Sequence, residues 1–378
     1  MINIKEAIKN LGAIRFDGSN IWRGKAYHSF DGLETDSHVG NVGQRVKLIT
    51  DNYDVKDKTG VDLGCSVGGI SIELSKRGAS LCGYDHDHQA IEVARIYSKK
   101  FGLFNIFSSQ NIDLDFIQKI PFSDYSFCVW FSQWMWFLKQ HGIEDALDAL
   151  WHLGKSVPVL FFETSLGDGK AGEAIKDHSI DEKRMVQILG NCYKNVKKIG
   201  IDEQWRKRPI FMCEGCLPSE YKGYHNNKIE RIGYNKIRKT QNKDQHIREL
   251  VSIRKITKDG LTKHFPVGHP PNDIENTIDM SYCGEPLTKL PDNWKCQAEE
   301  ILQALKDVNI VHRDIIPRNL LIKDGVIKLI DFSWSGHPDE DTSKFPGRLG
   351  TDFRKYPGFD DRYSLYKSLE WIGENEKV

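Results

Sequence analysis

Three polar side chains stand close together late in the 378-residue sequence, within Ile310-Val-His-Arg-Asp-Ile-Ile-Pro-Arg-Asn-Leu-Leu-Ile-Lys-Asp-Gly-Val-Ile-Lys-Leu-Ile-Asp-Phe-Ser333. Asn319 and Asp331 offer oxygen ligands that suit Mg²⁺ bound against nucleotide phosphates, whereas Asp314 is placed to orient an acceptor hydroxyl and take its proton. The apolar runs Leu320 to Lys323 and Val326 to Ile330, joined by Asp324-Gly325, predict a β-hairpin. Such a hairpin returns Asn319 and Asp331 to the same end, and His312 and Arg313 are expected to brace the loop. The bland alternative is a hairpin that carries three polar ends by chance.

A second constellation lies near the beginning. Val61-Asp-Leu-Gly-Cys-Ser-Val-Gly-Gly69 runs into Ile70-Ser-Ile-Glu-Leu-Ser-Lys-Arg77, which reads as strand, tight loop and helix. Gly64 and Gly68 let backbone approach a nucleotide-like cofactor, next to the unsatisfied N–H groups of the helix start. Gly78 to Asp85 reads as the next strand, and it ends in an acid suited to both ribose hydroxyls. Loop and acid alone leave NAD and S-adenosyl-L-methionine (SAM) both open.

Asp62-Leu-Gly-Cys-Ser-Val-Gly-Gly69 resembles motif I of class I methyltransferases, with Ser66 where many members have glycine. The resemblance implies SAM as cofactor, places Asn111 and Ile112 beside the adenine, and makes Ser126-Phe-Cys-Val-Trp-Phe-Ser132 the strand that ends at the reaction centre. Gly43 to Tyr53 forms an amphipathic helix that can cover the cofactor mouth. Arg45 is the candidate to hold the cofactor's carboxylate, against the reading of a surface arginine on a packed helix. Tyr27 and His28 are placed at the same mouth. Gln133, Trp134 and Trp136 either shape an acceptor pocket or fill the core. Methyl transfer is an in-line displacement in which proximity supplies much of the rate, so no general base is assigned.

Residues 310–333 resemble the catalytic loop and metal-binding segment of protein kinases. That resemblance implies ATP and Mg²⁺ as cofactors. Lys236 is the candidate phosphate-binding lysine on a short strand, Lys239 is the runner-up, and Glu249 on the following helix is the expected partner. The backbone from Met280 to Tyr282 would face adenine, residues 350–357 resemble the end of an activation segment, and Asp361 resembles the acid that anchors the catalytic loop. No G-x-G-x-x-G precedes Lys236, and Asp314 lacks a lysine two positions later. Both departures point away from protein substrates and toward a small-molecule or glycan acceptor.

The elements that must position these groups form two domains. Residues 1–212 are expected to be a SAM-dependent methyltransferase domain with its core at about 40–165. Residues 218–378 are expected to be a kinase-like domain, with an N-lobe over 218–283 and a C-lobe over 284–378. The expected fold class is an α/β Rossmann-like class I methyltransferase domain plus an α+β protein-kinase-like bilobal domain with a shortened C-lobe. Lys plus Arg and Asp plus Glu balance at 53 each, which argues against nucleic acid as a partner. The N-terminus lacks the apolar core of a signal peptide, no stretch reads as a transmembrane segment, and the eight scattered cysteines read as reduced, all consistent with a cytoplasmic protein. Cys213-Glu-Gly-Cys216 has the spacing of zinc ligands but no second pair to complete a site.

Across nearly its whole length the order of domains resembles the bifunctional methyltransferase/kinase family that terminates bacterial polymannose O-antigen chains. The motifs that carry this are Gly43 to Thr50, Asp62 to Cys65, Arg208 to Phe211, and Asn242 to Asp244 before Glu249. The resemblance implies phosphorylation of a terminal sugar followed by methylation. The alternatives are a methyltransferase with a regulatory, nucleotide-binding pseudokinase domain, and a methyltransferase acting on RNA or protein. The retained residue types at Lys236, Glu249, Asp314, Asn319 and Asp331 favour an active kinase.

Overall fold

The computed structural model describes residues 29–33, 42–167, 169–203, 207–217, 220–222, 227–270, 274–342, 353 and 359–375. Tyr27, His28 and, apart from Phe353, the segment 350–357 lie outside the described residues. The chain divides into two compact units, Met1–Pro218 and Ser219–Val378.

The first unit is built on seven strands: β1 (Thr59–Leu63), β2 (Ser80–Asp85), β3 (Ile106–Ser109), β4 (Phe127–Phe131), β5 (Val159–Glu163), β6 (Tyr193–Asp202) and β7 (Arg208–Cys216). Its helices are α1 (Gly43–Asn52), α2 (Gly69–Ser75), α3 (His88–Lys100), α4 (Leu114–Lys119), α5 (Trp134–His141), α6 (Ile143–Ser156), α7 (Gly169–Asp177) and α8 (Glu182–Gly190). The strand order is β3-β2-β1-β4-β5-β7-β6, parallel from β3 to β5, with β7 antiparallel to both β5 and β6. This is the class I methyltransferase sheet. Strands covered by helices on both faces read as continuous apolar runs, and Phe127–Phe131 and Val159–Glu163 are buried at every position. The strand order reverses between β1 and β4, so the loops after these two strands frame a crevice at their carboxyl ends, the usual place for a ligand in such sheets.

The second unit has a four-stranded antiparallel sheet, β11-β10-β9-β8, formed by β8 (Glu220–Lys222), β9 (Lys228–Gly233), β10 (Lys236–Thr240) and β11 (Thr277–Ser281). Helix α9 (Lys243–Lys258) follows β10, capped by Asn242, whose side chain accepts from the N–H of Gln245 at 3.0 Å. The remainder holds α10 (Trp294–Asp307), α11 (Asp361–Asn375) and a small sheet of β12 (Glu285–Pro286), β13 (Leu320–Lys323) and β14 (Val326–Leu329). This is the protein-kinase arrangement in compact form. The predicted hairpin is β13–β14, and its turn residues Asp324 and Gly325 both have positive φ, 52° and 78°, as a two-residue type I′ turn requires. A core of Ile253, Phe265, Ile301, Leu305, Leu329, Phe332 and Leu369, among others, unites helices and strands beneath the polar ends. Among the described residues, no helix is long and apolar enough to cross a membrane.

Candidate active sites

In the second unit, Lys239 lies at the centre of the polar cluster. Its Nζ is 2.7 Å from Glu249 Oε2, 2.8 Å from Asp331 Oδ1 and 3.3 Å from Ser333 Oγ. Burial disfavours the charge on Lys239, but Asp331 and Glu249 outweigh it and raise its pKa. Burial likewise opposes ionisation of Asp331, and Lys239, Ser333 and His312 reverse that effect, which holds the carboxyl below the usual range. The predicted partner of Glu249 is corrected accordingly. Lys236 and Lys239 are an odd number of residues apart on β10, so their side chains leave opposite faces of the sheet, and it is Lys239, 5% exposed, that turns toward Glu249.

Asp314, Asn319 and Asp331 are brought together by the hairpin. Ile330 donates its N–H to the carbonyl of Asn319 at 3.0 Å, which ties the strand before Asp331 to the loop. Asn319 Nδ2 donates to the carbonyl of Asp314 at 2.8 Å and lies 3.3 Å from its Oδ2. The other terminus of that side chain is an amide oxygen, a hard donor. Asp331 sits at φ 66°, a left-handed conformation that sends its carboxylate back toward Lys239. The donor set therefore fits Mg²⁺: one carboxylate held ionised and one amide oxygen, both hard ligands.

Asp361 anchors the loop from α11. Its two oxygens accept from the N–H groups of His312 at 2.6 Å and Arg313 at 2.9 Å. Burial lifts its pKa to about 6, although both N–H bonds work the other way. His312 packs on Phe332 with ring centroids 4.6 Å apart and sets Nε2 3.1 Å from the carbonyl of Ile330.

The backbone expected to face adenine is engaged in main-chain pairing. Met280 is paired with Ile237 in the β10–β11 ladder, and Tyr282 donates its N–H to Asn235 at 2.7 Å. Those groups are occupied by the sheet. The chain leaves the strand after Ser281, and Gly284 takes a left-handed φ of 98°.

In the first unit the loop after β1 turns through left-handed conformations at Gly64, Ser66 and Gly68, with φ of 79°, 51° and 74°. A Cβ on Gly64 would collide with the side chain of Gln133, which stands over it. Asp85 closes the loop: Oδ2 accepts from Ser66 N–H at 2.9 Å and Oδ1 from Asp87 N–H at 2.9 Å. Oδ1 also lies 3.3 Å from His86 Nδ1, whereas Oδ2 keeps a further lone pair, so the loop and the acid fit an adenosyl ribose at the switch point. Asp62, buried on β1, accepts from Ser71 Oγ at 2.7 Å and so ties α2 to the sheet; burial lifts its pKa to about 7. Asn111 and Ile112 follow β3, Asn111 exposed and Ile112 half-buried.

Arg45 does not stand ready for a cofactor carboxylate. Its Nη2 is 2.7 Å from both Glu163 and Asp202, and its Nε is 2.8 Å from Asp202, so its charge is already met by two buried acids that link α1 to β5 and β6. The same acids extend the site beyond the sequence reading. Glu163 also accepts from Ser132 Oγ at 3.0 Å and from Arg208 Nη1 at 3.3 Å. A lone acid at the end of the apolar run Val159-Leu-Phe-Phe-Glu163 is the signal that marks it. Trp134 is core, fully buried with its Nε1 donating to the carbonyl of Ala146 at 2.9 Å.

Fold and sites together define a methyltransferase-type unit and a protein-kinase-type unit in one chain. No family model matches the sequence. Among solved structures, a crystal structure of WbdD is similar over 93% of this chain and 92% of that one, with 16% identity and a TM-score of 0.45. A second, of the bifunctional kinase-methyltransferase WbdD, is similar over 93% of each chain with the same identity and score. Magnesium protoporphyrin IX methyltransferase from Synechocystis PCC 6803 with bound SAM is similar over 46% of this chain and 77% of that one, at 18% identity and a TM-score of 0.35.

Proposed function

We propose that the protein is a bifunctional transferase that phosphorylates and methylates one acceptor, the terminal sugar of a glycan such as an O-antigen-type polysaccharide. The single observation that carries the reading is Lys239 held between Glu249 and Asp331, beside Asp314 and Asn319. A lysine that braces phosphates, two metal ligands and a carboxylate to take the acceptor's proton are the parts a phosphotransferase needs. The domains assigned are 1–212 for methyl transfer and 218–378 for phosphoryl transfer.

In the second domain Lys239 receives the α- and β-phosphates, Asn319 and Asp331 hold Mg²⁺, and Asp314 orients the acceptor hydroxyl and accepts its proton. Bound Mg²⁺ would neutralise phosphate charge. Cys283 and its neighbours meet the adenine. Met280, within β11, and Tyr282, just after it, support that edge.

In the first domain Gly64 and Gly68 let backbone approach SAM, Asp85 takes the ribose hydroxyls, Asn111 and Ile112 flank the adenine, and Tyr27 and His28 are further residues assigned to SAM. Bound SAM supplies an electrophilic methyl group. The protein's own task is to hold the acceptor in line with it, and the buried set Ser132, Glu163, Arg45 and Arg208 at the ends of β4 and β5 fixes that wall. A phosphate made by the second domain is already anionic and needs no base to accept a methyl group, which makes phosphorylation the first step.

The test is transfer from labelled ATP and labelled SAM to a panel of mannosides, with protein and RNA offered in parallel. Both labels are expected on mannosides. Transfer to protein or RNA with none to any glycan would refute the acceptor assignment.

A further inference from the structure

Glu340 lies outside the groups assigned to nucleotide or metal, yet its two oxygens are divided between two parts of the kinase-type site. One accepts from Arg248 Nη1 at 2.7 Å and the other from Arg313 Nη1 at 2.6 Å. Arg248 directly precedes Glu249 on α9, and Arg313 directly precedes Asp314 in the catalytic loop. One carboxylate therefore connects the element that orients Lys239 with the element that carries the proposed base.

The surroundings are built for this bridge. Arg313 is 3% exposed, sits at φ 65°, and gives a further bond from Nη2 to the carbonyl of His337 at 2.6 Å. Val311 and Gly336 exchange N–H to carbonyl bonds of 2.9 and 3.0 Å, which lays the segment after Asp331 against the catalytic loop. A Cβ at Gly336 would overlap the Glu340 carboxylate and stand 2.6 Å from Arg313 Nη1, so the bridge needs a residue without a side chain there. Ser252 on α9 and Ser335 make a second link, Oγ to Oγ at 2.7 Å. Burial opposes the charge on Glu340, but the two guanidinium groups prevail and hold its carboxyl below the ordinary range.

In protein kinases, phosphorylation of the segment after the metal-binding aspartate supplies an anion that pairs with arginines, orders the segment and sets the neighbouring helix. Here a carboxylate encoded in the sequence occupies such a place between two arginines. We propose that Glu340 is a built-in positioning anion that renders the phosphotransferase unit competent without phosphorylation of its own activation segment. The proposal rests on the phosphotransferase reading given above.

The experiment uses the full chain, treated exhaustively with phosphatase, with Mg²⁺-ATP hydrolysis as readout so that no acceptor is needed. The treated wild type should keep its full rate. Glu340→Gln, nearly equal in size, should lower kcat by about tenfold, a common size for coupling between sites. KM for ATP should stay within about twofold, because the nucleotide ligands themselves are untouched. Glu340→Asp should fall between the two. Arg248→Ala, which removes only the α9 side of the bridge, should lower kcat similarly, and its effect should not add to that of Glu340→Gln. That variant decides the matter if Glu340→Gln melts early. Loss of the wild-type rate on dephosphorylation, or unchanged kcat in both Glu340→Gln and Arg248→Ala, would overturn the proposal. A wild type whose turnover requires Asp331 but not Glu340 defeats this proposal alone, whereas no turnover at all, or turnover unchanged in Asp331→Asn, defeats the phosphotransferase reading beneath it.

Discussion

The two candidate sites are built in opposite ways. In the second unit, side chains from separate elements meet one another: Lys239 from β10, Glu249 from α9, and Asp331 and Ser333 after β14, with 2.7–3.3 Å from Lys239 Nζ to each of the other three. In the first unit the work falls to backbone shape, three left-handed residues in five positions, with Asp85 the main side chain that closes the loop. A site made of interlocking charges depends on residue identity and fails when one charge is lost. A site made of backbone depends on the absence of atoms and fails when one is added.

Substitutions can break or sharpen that contrast. The largest effect is expected for Asp314→Asn, which removes the proposed base and should lower phosphoryl transfer by about 10²- to 10⁴-fold, read as the initial rate with saturating ATP. SAM binding by calorimetry should not change. Next comes the pair Lys239→Met and Lys236→Met. Loss of Lys239 leaves Glu249 and Asp331 facing each other and should cost about 10²-fold in kcat, the size seen when a charge-stabilising donor is removed. Loss of Lys236, on the other face of β10, should leave kcat nearly as it was. Equal losses would mean that the lysine assignment is wrong.

For the first unit, Gly64→Ala should weaken SAM binding by about tenfold, because a left-handed non-glycine residue costs on the order of 1 kcal/mol or more and its Cβ meets Gln133. Asp85→Asn should have a comparable or smaller effect, since an amide still accepts one bond but loses the charge that strengthens it. Neither should alter ATP turnover.

The smallest effect is pH-dependent. Asp361 carries a pKa lifted to about 6, so it is ionised above that value and protonated below it. Protonation weakens its acceptance of the His312 and Arg313 N–H bonds, which loosens the catalytic loop. Phosphoryl transfer should therefore decline as pH falls through about 6. Asp361→Asn should flatten that limb while lowering the plateau, which a pH–rate profile would record.

How much of this was legible in the sequence follows the same division. The hairpin Leu320 to Leu329 and the placement of Asn319 were readable because an Asp-Gly turn between apolar strands fixes the register locally. Asp85 and the loop glycines were readable for a similar reason, since strand, loop and helix are contiguous. The sequence leaves Lys236 and Lys239 both open as the partner of Glu249, because two lysines three apart on one strand cannot be told apart until the strand's buried face is known. That face is set by pairing with β11, some 40 residues away. Arg45 was expected to meet a cofactor because Glu163 and Asp202, its actual partners, lie more than 100 residues further along the chain. Ser333 and Glu340 carried no pattern of their own, as their roles exist only once α9 packs beside the segment after Asp331.

The central claim, that both sites act on one molecule, is tested most directly by mass spectrometry of a short mannoside incubated with the full chain, ATP, Mg²⁺ and SAM. The expected product carries one phosphate and one methyl group together, with the methyl absent when ATP is omitted. Products carrying phosphate or methyl only on separate molecules, or methylation indifferent to ATP, would contradict it.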